Sequence, residues 1–240
     1  MTSPHSPKQN HLLAALSAEE YARLQPDLEL VSMPLGWAVC EPGGRMNYAY
    51  FPTTSIVSLF HITKNGATAE IATTGNEGLV GISLFMGGDS TLSRAVVQNE
   101  GYGYRLKASS LKREFALGGQ LQHLALRFTQ ALITQTAQTA VCNRYHEIDK
   151  RLCRRLLVSL DRLRDNGLRM TQELMANMLG VRREGVTEAA GKLQTDGLIR
   201  YTRGRITVLD RPRLEQRVCE CYAVVKKEYD RLLPHQLLAH

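Results

Sequence analysis

The sequence predicts an α+β fold made of an N-terminal β-roll, a long connecting helix and a C-terminal winged helix-turn-helix. Short runs rich in Val, Ile, Tyr and Thr alternate with turn residues from Leu28 to Lys107, which is typical of a jelly roll. A long heptad pattern follows, and two short amphipathic helical patterns then meet at Gly180. The expected boundaries are 1–118 for the first helix and β-roll, 119–146 for the long helix and 147–240 for the C-terminal domain.

The β-roll is expected to follow a short helix over Asn10–Leu24, whose leucines recur near one face. Asn65-Gly66 between two strands predicts a type I′ hairpin, because both residues tolerate a positive φ. A barrel of this kind often encloses a small ligand. The predicted strands are Leu28–Met33, Tyr48–Phe51, Ile56–Ile62, Ala67–Thr73, Arg94–Gln98 and Gly101–Leu106.

The long helix is predicted to carry a dimer interface. Its apolar and amide side chains recur at alternating steps of three and four, the spacing of a two-stranded coiled coil. Two glutamines within this seam would weaken it and fix its register. The alternative is a helix packed on its own barrel, and both interpretations hold if one face meets the barrel and another meets a partner. The predicted interface residues are Leu121, Leu124, Phe128, Ala131, Gln135, Gln138 and Cys142.

The segment Thr171–Gln194 predicts a helix-turn-helix. Thr171 is a good N-cap, and Gly180 stands where a tight turn needs a residue that tolerates a positive φ. The outward side of the second helix is polar: Arg can bind guanine with two hydrogen bonds, and Glu can accept one from the cytosine amino group. The alternative is an ordinary solvated helix face. The residues expected near base edges are Arg182, Arg183, Glu184, Thr187 and Glu188.

A wing is predicted directly after these helices. Two strand-like runs in Leu198–Leu209 flank Arg203-Gly204-Arg205, a pattern that indicates a hairpin. Arginines at its tip would reach phosphates, where contacts add affinity without sequence information. The alternative is a turn that only keeps the surface soluble. The residues expected near phosphates are Thr171, Gln172, Lys192, Arg203 and Arg205.

Two further helices are expected to flank the helix-turn-helix. An amphipathic pattern over Ile148–Arg164 ends at Asp165-Asn166-Gly167, and Asp210-Arg211-Pro212 begins a C-terminal helix with Pro in its first turn. Cys219-Glu220-Cys221 is predicted to lie inside that helix. Side chains two positions apart point about 200° apart on a helix, so no metal site is predicted there.

The C-terminal motifs resemble the winged helix-turn-helix of the Crp/Fnr family of bacterial transcription regulators. The resemblance is carried by TQELMA at 171–176, by LGVRRE at 179–184 and by the Gly-Leu-Ile that leads into the hairpin. It implies a DNA reader in which Arg183 and Glu184 match an Arg-Glu pair that reads bases. The family pattern has a second Arg where this sequence has Glu188, and a Ser where it has Arg182. The resemblance also implies a homodimer formed through the long helix, a near-palindromic operator and contact with RNA polymerase.

The N-terminal half resembles the cyclic-nucleotide-binding effector domain of the same family, through Glu41-Pro42-Gly43, Phe51-Pro52 and the cassette over Gly78–Ala95. The family cassette holds the ribose with a Glu and the phosphate with an Arg. Here the first run lacks the Glu, and Arg94 is one place out of order, which turns a strand residue to the other face. Glu77 and Arg94 are the candidate effector contacts. A regulator that does not use cyclic AMP in the usual way is therefore predicted, with a cyclic-nucleotide-gated regulator as the alternative and the effector unknown.

The composition agrees with a sensor joined to a DNA-binding domain. The net charge is +7, and residues 148–240 carry nineteen Lys or Arg against twelve Asp or Glu, whereas residues 1–147 are balanced. Five cysteines without framework spacing and a polar N-terminus favour the cytoplasm. A single Cys in the first hundred residues is too few for an iron–sulfur cluster there. A cupin-like enzyme would need clustered ligands, but only His61 lies among the predicted strands, so no catalytic residue or cofactor is predicted.

Overall fold

The computed structural model describes residues 5–163 and 167–233. Contacts divide the chain into two compact units. The first contains residues up to Leu59, Thr73–Ile133 and the segment from Glu228 onward, and the second contains Phe60–Ala72 and Thr134–Lys227. Asp165 and Asn166, the predicted turn, lie outside the described residues. Among the described helices, none combines the length and hydrophobicity that a membrane crossing requires.

The β-roll consists of two sheets, in which the pairs β1–β7, β3–β7 and β2–β6 are antiparallel. Strand β7 lies between β1 and β3 in the first sheet, and the second has the order β2-β6-β4-β5. All six predicted strands form within one residue of their expected bounds, and β2 was not predicted because three residues carry too little periodicity. The strands are β1 (Leu28–Met33), β2 (Ala38–Cys40), β3 (Tyr48–Pro52), β4 (Ile56–Ile62), β5 (Thr68–Thr74), β6 (Arg94–Asn99) and β7 (Gly101–Lys107).

The turn between β4 and β5 corrects the predicted type I′ hairpin. Only Gly66 has a positive φ, of 82°, and its N–H donates to the carbonyl of Thr63. The loop therefore has three residues, a type I turn followed by a left-handed glycine. The Asn65 side chain supports this loop by accepting a hydrogen bond from the Ala67 N–H at 3.3 Å.

Two short helices replace the single N-terminal helix that the sequence predicts. Helix α1 (His11–Ala14) begins at Asn10, whose side chain accepts from the N–H groups of the first turn. Ser17 starts α2 (Ala18–Leu24) with a capping box, since it and Glu20 each satisfy the other's backbone N–H. Helix α3 (Ala108–Ala116) follows the last strand, and α4 (Gln120–Tyr145) is the long helix.

The predicted dimer seam on α4 is wrong, because those side chains are buried inside the chain itself. Gln138 is half-buried, and the other six side chains of the predicted seam are buried: Leu121, Leu124, Phe128, Ala131, Gln135 and Cys142. A second set on the same helix has the same alternating spacing and is exposed. This exposed stripe consists of Leu126, Gln130, Ile133, Ala137, Ala140 and Arg144.

The second unit contains a helix-turn-helix and a three-stranded wing of order β8-β10-β9. Strand β8 pairs antiparallel with β10 and was not predicted. Helix α5 packs against both helices of the helix-turn-helix. The elements in chain order are α5 (Ile148–Leu160), β8 (Gly167–Arg169), α6 (Gln172–Leu179), α7 (Arg183–Thr195), β9 (Ile199–Thr202) and β10 (Arg205–Val208).

The C-terminal segment forms two helices where the sequence predicts one, α8 (Arg211–Arg217) and α9 (Cys221–Leu232). Asp210 is the expected N-cap, accepting from the Arg213 N–H at 3.0 Å. The chain leaves the helix at Val218, where ψ is 154°. Cys219 therefore lies in the break and Cys221 begins α9, so the assumption that both thiols sit on one continuous helix is wrong.

Candidate nucleic-acid interface

The turn between α6 and α7 has the geometry that a helix-turn-helix requires. Thr171 caps α6 by accepting from the Leu174 N–H at 3.1 Å, and Gly180 ends the helix with φ 61°. Val181 donates its N–H to the carbonyl of Ala176, which closes the turn. One side of α7 is buried, so its polar side faces outward; the buried residues are Val186, Ala189, Ala190 and Leu193.

Arg183 and Glu184 are exposed at the start of α7, together with Arg182, Thr187 and Glu188. The Arg183 side chain is oriented, because its Nε donates to Oε1 of Gln172 at 3.2 Å. Gln172 lies in the first turn of α6, so it links the two helices at their outer surface. This bond leaves both terminal nitrogens of the guanidinium available to bind a planar acceptor such as guanine.

Two other predicted contact residues already have partners on the same helix. Lys192 Nζ lies 2.8 Å from Oε1 of Glu188, and this bond lowers the pKa of Glu188 and raises that of Lys192. Thr187 donates its hydroxyl proton to the carbonyl of Arg183, leaving its methyl group and oxygen lone pairs facing solvent. Lys192 therefore lies beside the predicted base-reading surface with its charge partly neutralised.

The wing tip is a two-residue type I′ turn, since Thr202 and Arg205 pair directly and both intervening residues have positive φ. Arg203 has φ 48° and Gly204 has φ 75°. A left-handed conformation is unfavourable for a residue with a Cβ. The tip lies next to the start of α6, because Met170 donates its N–H to the Gly204 carbonyl at 2.7 Å. Thr171, Gly204 and Arg203 are thus brought to one end of this unit.

Arg205 lies at the start of β10 opposite Arg169 of β8. Its guanidinium covers Gly167, where an added Cβ would come within 2.8 Å of Nη2. Sequence reasoning found Arg203 and Arg205 from the hairpin pattern. It missed Arg169, because β8 is only three residues long and its place in the wing depends on tertiary pairing.

Helix α5 supports the helix-turn-helix through two buried arginines. Arg151 donates to the carbonyl of Leu179 at the end of α6, and burial lowers its pKa. Arg155 Nη2 lies 3.0 Å from Oε2 of Glu70, which belongs to the same unit, and both side chains are at most 10% exposed. The contact between α5 and α7 is close at Gly185, where a Cβ would lie 2.8 Å from Ile148 Cδ1.

The two candidate effector residues have protein partners in the first unit. The carboxylate of Glu77 accepts from the Gly75 N–H at 3.0 Å, so it stabilises its own turn. Arg94 Nη2 forms a half-exposed ion pair with Glu41 at 3.0 Å. Gly78, the first residue of the cassette, is packed under Phe128, and an added Cβ would lie 2.0 Å from the ring.

Comparison with protein families found one match, a Crp-like helix-turn-helix domain over residues 150–217. That range contains all of α5 except its first two residues, the helix-turn-helix, the wing and α8, so it covers every predicted DNA contact. No curated protein sequence matches the chain.

Solved structures of Crp/Fnr-type regulators share the fold. A Crp/Fnr-family transcriptional regulator of Eubacterium rectale is 18% identical with a TM-score of 0.67, covering 86% of this chain and 96% of its own. FixK2 of Bradyrhizobium japonicum is 17% identical with a TM-score of 0.67, covering 80% and 98%. The c-di-GMP-responsive global regulator CLP of Xanthomonas campestris is 16% identical with a TM-score of 0.62, covering 81% and 100%.

Proposed function

We propose that this chain, a Crp/Fnr-type transcription regulator by its helix-turn-helix domain and its fold, reads DNA through helix α7 and the wing. Helix α7 enters the major groove, Arg183 and Glu184 contact base edges, and Arg203 at the wing tip contacts a phosphate. The observation that carries this proposal is the oriented, exposed Arg183, held by Gln172 beside the Gly180 turn. The strained backbone at Arg203 supports the wing contact, since strain concentrates where function needs a side chain in one place.

The proposed regulator is a cytoplasmic homodimer with no enzymatic activity. Two copies of α7 about 34 Å apart would read two halves of a near-palindromic operator. The exposed stripe on α4 supports dimerisation, because its heptad spacing presents Leu126 and Ile133 to solvent. Transcription control would then proceed through contact with RNA polymerase beside the operator.

The experiment is selection of bound duplexes from a random pool, followed by affinity measurements on the selected operator. Arg183→Ala is expected to cost about 1–3 kcal/mol on that operator and to relax one base position. Arg203→Ala should instead weaken all duplexes alike and reduce the salt slope by about one. Lys227→Ala, which removes one positive charge from α9, is the control. Equal weakening of every duplex by Arg183→Ala would contradict the base-reading role.

We further propose that this regulator does not respond to cyclic AMP or cyclic GMP in the usual way. The support is local: Arg94 is paired with Glu41, and Glu77 is bonded to the backbone of Gly75. A ribose hydroxyl without a carboxylate partner forgoes a bond worth about 1.5–3 kcal/mol. Titration calorimetry with both nucleotides is expected to give no saturable heat, and a clear binding isotherm would contradict this proposal.

A further inference from the structure

Three cysteines and one histidine meet in the second unit, from parts of the chain some 75 residues apart. Cys142 lies in the last turn of α4 and His146 follows the helix directly, with its N–H donating to the Cys142 carbonyl at 3.1 Å, so the two side chains lie on one side of the chain there. Cys219 lies in the break between α8 and α9, and Cys221 begins α9. The ligand atoms of all four side chains lie within 4.8 Å of one another. We call these four residues the Cys3His group.

Two distances within the Cys3His group match those of a tetrahedral metal site. Zinc binds thiolate sulfur at about 2.3 Å, so two sulfurs of a regular tetrahedron lie about 3.8 Å apart. The Sγ atoms of Cys142 and Cys219 are 3.6 Å apart, and Cys221 Sγ lies 3.4 Å from Nδ1 of His146. A disulfide would need about 2.05 Å between two sulfurs and would leave the other two groups unused.

The histidine is oriented as a metal ligand. Its Nδ1 faces the thiols, and its Nε2 lies 3.3 Å from Oε1 of Glu220, which itself stands between two of the cysteines in the sequence. A metal-binding His usually donates its second N–H to a carboxylate, which fixes the ring and strengthens the ligand. Glu220 is 71% exposed, so its carboxylate can hold the imidazole of His146 without being desolvated.

The surroundings also suit a site of net negative charge. The three cysteines are buried together with Val218 packed against them, which excludes water from the sulfurs. Gln138 donates its amide N–H to Cys221 Sγ at 3.1 Å, and the positive charge of Arg154 acts on Cys142. Three thiolates and one divalent cation carry a net charge of −1, which Arg154 offsets.

We propose that the Cys3His group binds one zinc ion, with Cys142, Cys219 and Cys221 Sγ and His146 Nδ1 as the four ligands. The site is closed and has no position for a substrate, so its role is structural. It fastens the end of α4 to the α8–α9 break within one unit. The sequence predicts no metal site here, because two side chains two positions apart on one helix point about 200° apart. The break at Val218 removes that constraint, and the Cys219 and Cys221 sulfurs lie in the same group.

The test begins with the full chain, purified without chelators and analysed for metal. One zinc per chain is expected. After the metal is removed by chelation under reducing conditions, added Co²⁺ should produce intense visible bands and a thiolate charge-transfer band. Added Zn²⁺ should then displace the Co²⁺ and abolish these bands. Absence of both zinc and the Co²⁺ bands would overturn the proposal, as would a Cys142–Cys219 disulfide in protein purified without oxygen.

Variants separate ligands from ordinary buried thiols. Cys142→Ser and Cys221→Ser should weaken the charge-transfer band and lower zinc content. Cys153→Ser is the matched control, since Cys153 is also buried in this unit, outside the group, and burial raises its pKa to about 12. If Cys153→Ser lost as much zinc as Cys142→Ser, the ligand assignment would be wrong.

Glu220→Gln keeps the test informative if the cysteine variants fold poorly, because Glu220 is exposed. It should lower zinc affinity about 10–100-fold while leaving the spectrum of the Co²⁺ form unchanged. Unchanged affinity would remove the proposed role of the carboxylate. None of these measurements involves DNA, so their outcome is independent of the proposed operator contacts.

Discussion

The bond between Arg183 and Gln172 is the smallest feature on which the proposed DNA reading depends. A long side chain free in solution loses rotamer entropy when it binds, and a protein partner that orients it beforehand reduces this loss. Gln172 was expected to contact phosphate, whereas the structure has its Oε1 accepting from Arg183 at 3.2 Å. The two roles are compatible, since the amide nitrogen of Gln172 remains a donor.

Gln172→Ala is therefore expected to weaken binding to the selected operator by about 0.5–1.5 kcal/mol, less than Arg183→Ala does. Gel-shift titrations of both single variants and the double variant measure the coupling. The loss from Gln172→Ala should be much smaller in the Arg183→Ala background. Fully additive losses would mean that Gln172 contacts DNA on its own.

At the level of elements, the wing combines an unfavourable backbone with a proposed function. Arg203 has φ 48°, a conformation that Asn adopts more readily. Arg203→Asn is expected to raise the free energy of unfolding by about 1 kcal/mol and to weaken DNA binding. Urea unfolding and operator titration on the same preparations measure both effects. Arg205→Asn, at an ordinary strand position, should give no such gain in stability.

Gly78 in the first unit has no room for a side chain, because the ring of Phe128 packs against it. Gly78→Ala would drive a methyl group into the buried ring of Phe128, and overpacking of this kind costs about 1–3 kcal/mol. Thermal or urea unfolding should register that loss. In a Phe128→Leu background the same substitution should cost clearly less, because the ring is gone. An equal cost in both backgrounds would place the strain elsewhere.

The elements that the sequence predicted well are those whose pattern has one solution. Alternating apolar residues define a strand and its buried face together, as in Gly101–Lys107, where Tyr104 and Leu106 are buried on either side of the half-buried Arg105. The long helix is different, because heptad spacing fits two of its faces, and only tertiary packing decides that Phe128 points inward and Ile133 outward. The Cys3His group was unpredictable for a related reason: it depends on the helix ending at Val218, and no Gly or Pro marks that break.

At the scale of the whole molecule, the exposed stripe on α4 predicts how two copies associate. Ile133 is 61% exposed, so Ile133→Glu should leave the fold of the monomer intact and convert the dimer to monomer. Sedimentation velocity measures the change, and binding to the full operator should fall with it. Leu92→Glu is the matched control, since Leu92 is an exposed loop residue at 76%.

Phe128→Ala should behave in the opposite way. Phe128 is 0% exposed in the single chain, so its loss is expected to cost about 3–5 kcal/mol of stability. Circular dichroism during thermal unfolding would detect this, while the sedimentation of the remaining folded protein should stay dimeric. A stable monomeric Phe128→Ala variant would contradict this and would support the dimer seam that the heptad spacing predicts.

The Arg155–Glu70 pair limits how the β4–β5 hairpin can be redesigned, because Glu70 lies in β5. Grafting a shorter hairpin from another protein would remove the Glu70 carboxylate and leave the Arg155 guanidinium in a nearly dry interior. Removing one partner of a buried ion pair typically costs about 3–5 kcal/mol of stability. A graft that keeps an acidic residue at position 70, or that is accompanied by an uncharged residue at position 155, avoids this. Domain exchange between this regulator and a relative therefore has to carry both positions together.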